Sequence, residues 1–356
     1  MVHVKQPLKR HPLRTTPRAV RQDGESAPQW PNFTGTAQFV GTSSSGVTVF
    51  VDPSLGQPAL QNAMDLLDDA DRVVAANNTL FGVEGGPVSV IVFALGGATD
   101  GTGGADHMGC DFTTGAAIEV CAAFGNSARV SALFEAELSE CCMNGNLCGV
   151  STGEALSRWC AEVIGNNALS DFATAPTWFQ DGTPNFVDNT DPSDGHADST
   201  GCGMAFLSWL MSLGAALSAI AQTMVSLGDS GTLAQAYAHL TGDDASNAWP
   251  KFIAAIQALP NGVTSDDPFG GASQPPQLAH IAPWTVEAAG KIFGVILADL
   301  AAGKAANQIV ASVRAAMVSI PSSKPHGASA GTRNGTSTGA CSLQSRRLLP
   351  PDKVRP

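Results

Sequence analysis

The sequence predicts an α+β fold in which a small sheet with its helices comes first and a mainly helical half follows. Short β-branched and aromatic runs are confined to the first third of the chain. Beyond them, apolar residues recur at helical spacing. The 356 residues, 44% of them apolar, suffice for a substantial core and exclude general disorder.

Val47-Thr48-Val49-Phe50-Val51 reads as a strand ended by Asp52-Pro53. A helix follows over about 58–80, with Leu60, Ala63, Met64, Leu67, Asp71 and Val74 on one stripe and Gly82 as its stop. Val88 to Leu95 is a second strand, apolar enough to lie inside a sheet. Gly96 to Gly109 reads as a glycine-rich loop carrying Asp100, Asp106 and His107, and Ala116 to Ala123 as a short edge strand. Helices are predicted over about 130–141, 153–164, 200–213, 216–227, 231–240 and 245–258, with an irregular stretch over 165–198 anchored by Trp178, Phe179 and Phe186. A last helical pair is expected at about 284–302 and 305–319, stopping at Pro321. The organisation is then a basic tail (1–35), an α+β half (36–165), a helical half (166–259), a Pro/Gly/Ser linker (260–283), a helical pair (284–320) and a second basic tail (321–356).

Twelve of the 19 basic residues lie in the first 21 and last 33 positions, leaving residues 22–323 with 30 acidic and 7 basic groups, a net charge of −23. Such a body repels nucleic acid and anionic membranes, so neither is an expected partner. Residues 199–228 carry no charge, but Gly201, Gly203, Gly214 and Gln222 dilute them and no basic flank is near. They read as a buried helical hairpin broken near Gly214. Residues 1–21 contain no apolar stretch of the secretory type, so export is expected only if the start is misassigned. Seven of the eight cysteines fall within residues 110–202 with no CxxC pair, which argues against a zinc ribbon and leaves structural disulfides open.

The helix over 130–141 carries the main chemical signal. Val130, Leu133, Phe134, Leu138 and Cys141 share one face, and Glu137 falls at its centre with Glu140 at the edge. A carboxylate placed there has to be protonated, paired, or turned toward a polar cleft or ion.

Strand, long helix, strand, short strand, a helix with a central glutamate, then a helix opening Gly153-Glu154-Ala155-Leu156: this order resembles the zincin metallopeptidases, and their gluzincin branch in particular. Ser199 to Leu207 is similar to the helix closing the lower half of some secreted zincin-like proteins. The resemblance spans about residues 45–260 and implies Glu137 as general base and Glu154 as third zinc ligand. The family's His-Glu-x-x-His is replaced by Ala136-Glu137-Leu138-Ser139-Glu140. Alanine offers no donor, and carboxylates without imidazole make a poor zinc site. The expectation is therefore a metallopeptidase-related scaffold without ordinary zinc-dependent peptidase activity, with zinc not expected as a cofactor. Glu140 and Glu154 are candidate cation ligands, and His107 and His196 candidate replacements. The opposing class is a non-catalytic binding or structural protein that takes a peptide or protein in the cleft.

Bland explanations compete. Glu137 is equally explained as a paired core carboxylate, and Glu154, four residues before Arg158, as half of a solvent-facing ion pair. Gly149-Val150-Ser151-Thr152-Gly153 matches the G-x-S-x-G nucleophile elbow before a helix, but a loop precedes it, and only His239 or His280 could complete a triad. Four aspartates in Asp188 to Asp198 suit Ca²⁺ chemically, yet their spacing misses the EF-hand, and a solvated loop before a helix suffices. The sequons at Asn32, Asn77 and Asn334 matter only in a secreted chain.

Overall fold

A five-stranded sheet in the order β1-β2-β3-β5-β4 forms one layer of the molecule. Its strands are β1 (Gln38–Thr42), β2 (Val47–Val51), β3 (Val88–Phe93), β4 (Ala105–Met108) and β5 (Ala117–Cys121). The computed structural model describes residues 27–112, 117–193 and 195–273. The expected helical pair over 284–320, the second tail, residues 274–283 of the linker and residues 1–26 of the first tail lie outside the described residues.

β2, β3 and β5 run parallel, whereas β1 and β4 are antiparallel edge strands. β5 is thus an interior strand rather than an edge, because β4, read as loop, pairs outside it. The alternation of side chains sends Val47, Val49, Val51, Val90, Val92, Ile118 and Val120 toward the helices. Phe50, Ile91, Phe93 and Ala117 take the other face. That face is covered as well. Trp30 meets Phe50 edge-on at 5.5 Å between ring centroids, and Phe33 meets Phe93 at 5.3 Å. Residues 30–33, assigned by composition to a tail, therefore pack on the sheet.

α1 (Gly56–Phe81) lies on the helix-side face and packs against α2 (Ser127–Cys142). α2 in turn packs on α3 (Ser151–Ile164), α3 on α5 (Ala197–Ser212), and α5 on α4 (Ala175–Gln180), a short helix inside the stretch expected to be irregular. α6 (Leu217–Leu227), α7 (Leu233–Thr241) and α8 (Ala248–Gln257) complete an α+β architecture. An aromatic cluster ties the helical half together: Phe252 stacks on Trp178 at 5.6 Å and meets Phe206 at 5.1 Å. The segment after α8, read as linker, docks too, with Val263 and Asp266 buried and Asp266 accepting the Thr174 and Ala175 backbone N–H groups.

No helix among the described residues is long and apolar enough to cross a membrane. The glycines that dilute the uncharged span have a packing role. A Cβ at Gly201 would overlap the carbonyl of Thr174, and one at Gly203 would press on Ala155 of α3. Alanine gains about 1 kcal/mol over glycine in a helix interior, but overpacking costs about 1–3 kcal/mol, here against backbone that cannot rotate away. Gly201→Ala is therefore expected to lower stability by about 1–2 kcal/mol in urea unfolding; a neutral or stabilising result would show that α4 and α5 are free to separate.

Candidate functional site

α2 begins at Asn126, whose side chain accepts the Arg129 N–H, and it is buried on every side from Arg129 to Ser139. Glu137 is 3% exposed, as its place in the apolar stripe requires. The group facing it comes from β4. His107, 4% exposed, places Nε2 3.1 Å from Glu140 Oε2 and 3.9 Å from Glu137 Oε2. Ser157 of α3 donates its hydroxyl to Glu140 Oε1 at 3.2 Å. Strand β4 and helices α2 and α3 thus converge on a buried imidazole between two glutamates. The His107–Glu140 bond requires one of the two partners to carry the shared proton. His107 Nδ1 is buried and has no hydrogen-bond partner among the described residues.

Of the sequence-derived candidates, the structure unites Glu137, Glu140 and His107. The histidine assigned to a loop reaches the site because it sits on the edge strand. Glu154 pairs with Arg158 at 3.9 Å, as its i,i+4 spacing suggests, but this pair does not face solvent. Arg158 is buried, bonded to the Phe172 carbonyl and 3.6 Å from Asp266. His196 stands at the N-terminus of α5 with its ring 5.8 Å from that of Phe186. Among the described residues, no group of three or more His, Cys, Asp or Glu side chains is arranged to hold a metal ion.

The other motifs resolve locally. Ser151 is buried at the start of α3 and follows a loop, not a strand, so the elbow's strained turn is missing. His239 is exposed in the last turn of α7, and His280 lies outside the described residues. Asp188 accepts from Asn185 Nδ2, Asp191 accepts the Ser193 N–H, and Asp198 lies in the first turn of α5. Cys110 and Cys148 form a disulfide that ties the loop after β4 to the loop after α2. Cys121, Cys141, Cys142, Cys160 and Cys202 are buried free thiols.

Two further groups of buried carboxylates escaped the periodicity analysis. Glu135, on the α1 side of α2, accepts Asn77 Nδ2 at 2.9 Å and neighbours Ser139. Burial pushes its pKa up to about 8, against the pull of Arg72 and its hydrogen bonds. On the outer face of the sheet, Asp106 and Glu119 sit opposite each other on β4 and β5, bridged by the Asn32 amide at 2.7 and 2.9 Å. Burial raises Asp106 to about 6, opposed by Asn32 and reinforced by Glu119. Glutamates inside otherwise apolar helix and strand runs were the available signal. Asn32 and Asn77 both use the side-chain nitrogen that a glycan would occupy, so the folded chain does not offer these two sequons freely.

The chain matches no known protein family, and no curated protein matches it.

Because Glu135 binds its proton more tightly in the folded state than unfolded, its contribution to stability is complete at low pH and declines as pH rises toward about 8. Glu135→Gln keeps the shape and removes that proton equilibrium. The variant is expected to gain on the wild type by up to about 1.4 kcal/mol per pH unit between pH 5 and 8 in urea unfolding; a constant difference across that range would refute the assignment.

Proposed function

We propose that this chain is a zincin-like, metallopeptidase-related protein that does not carry out ordinary zinc-dependent peptide hydrolysis. In support, a mixed sheet with a parallel centre and two antiparallel edge strands packs on a long helix and on a second helix bearing a buried central glutamate, and a helical half follows. Glu137 occupies the general-base position that the resemblance implies.

The donor chemistry does not fit zinc. Ala136 supplies no ligand, Glu140 is engaged by His107 and Ser157, and Glu154 is engaged by Arg158. A hydrolytic zinc needs three protein ligands at fixed geometry and an open position for water. The carrying observation is the His107–Glu140 hydrogen bond, in which Nε2 of the imidazole beside Glu137 is taken by a carboxylate. The same observation favours the second reading, a non-catalytic binding or structural protein in which the cluster holds α2, α3 and β4 together beneath a cleft for a peptide or protein.

Elemental analysis of the full chain after dialysis, followed by calorimetric titration with Zn²⁺, tests the reading. No stoichiometric zinc and no saturable binding are expected, and one tightly held zinc per chain would overturn it. Glu137→Gln is expected to stay within about 1 kcal/mol of wild-type stability and to leave cleavage of an unfolded protein substrate at the wild-type level. Loss of a measurable wild-type hydrolysis in that variant would instead make Glu137 a base.

A further inference from the structure

Strand β4 touches two faces of the sheet through adjacent residues. His107 turns toward α2, while Asp106 turns outward to residues 30–33. The two are coupled directly, because Asp106 Oδ1 accepts the His107 backbone N–H at 2.9 Å while Oδ2 accepts the Asn32 side chain. Glu119 completes the outer arrangement. Its Oε1 accepts the backbone N–H groups of Asn32 (2.9 Å) and Phe33 (2.6 Å), and its Oε2 the Asn32 amide. Two carboxylates facing each other across a strand pair repel. The Asn32 amide answers both at once.

We propose that Trp30–Phe33 form a detachable strap latched by Asn32, and that Asn32, acting through Asp106, is a positioning residue that holds β4 and sets His107 against Glu140 and Glu137. The strap is held to β4 and β5 by four hydrogen bonds, three of them made by Asn32. Its apolar part is a small cluster separate from the main core, and Trp30 Nε1 is buried without a hydrogen-bond partner among the described residues. Phe33 folds back over Gly35, where a Cβ would lie 2.7 Å from its ring. A segment with so small an apolar contact and an orphaned donor opens before the core does. Its grip on β4 is polar and concentrated in one side chain. The inference rests on this geometry and not on the proposed kinship, so either can fail alone.

Asn32→Asp, which adds a third carboxylate to the pair, tests it in the full chain at neutral pH. Hydrogen exchange read by mass spectrometry is expected to quicken about tenfold or more over 30–33 and 105–108, with α1 and α5 unchanged. The ring ¹⁵N signals of His107, assigned against His107→Gln, are expected to move toward those of an unbonded imidazole. Loosening of 30–33 with 105–108 and the ring signals unmoved would overturn the positioning role. Loosening of every segment together would overturn the detachable strap. Should the variant not fold, wild-type protein in sub-denaturing urea decides: exchange over 30–33 is expected to precede that of α1, and coincidence of the two would sink the proposal.

Discussion

Burial of α2 from Arg129 to Ser139 is the constraint from which the rest follows. A helix enclosed on every side cannot leave an ionisable group to water, so each of its polar side chains demands an answer from a neighbour. Glu135 is answered by Asn77 from α1, Arg129 by Asp171 and the Gly103 carbonyl, and Glu140 by His107 from β4 and Ser157 from α3. These contacts are specific where apolar packing is permissive. They fix the rotation of α2 against the sheet. A half-answered set would cost more than an apolar core, so the elements that supply the partners are bound to this one arrangement.

The same logic separates structure from chemistry at the His107–Glu140 pair. A carboxylate inside a protein is available for reaction only to the extent that its surroundings leave it unfinished. Glu140 has both oxygens engaged, and the histidine that engages it comes from the sheet rather than from the helix. The arrangement links three elements well.

Much of this was legible beforehand. β2, β3 and the helices from α1 to α3 stand out because long apolar periods leave little choice of conformation, and Glu137 was located by counting around one helix. β4 was not, since Ala105-Asp106-His107-Met108 has two ionisable residues in four and sits among glycines. It is a strand only because β5 pairs with it. β1 and the contact of Trp30 with the sheet are likewise products of tertiary pairing, which local propensity does not encode. His107 was recognised as a candidate by residue type. Its partners could not be, because Glu137 and Glu140 lie 30 and 33 residues away on α2 and meet His107 only once that helix packs on the sheet.

The cysteine arrangement carries a consequence for how the protein must be made. Among the described residues one pair is bridged, while five thiols end up sealed in the interior, each inert because nothing reaches it. In the nascent polypeptide all eight cysteines, seven of them within residues 110–202, are equally open to attack, so wrong bridges compete with the right one. Correct maturation therefore depends on collapse hiding the five before an oxidant finds them, and a hurried oxidant would yield scrambled, aggregation-prone material from an intact chain.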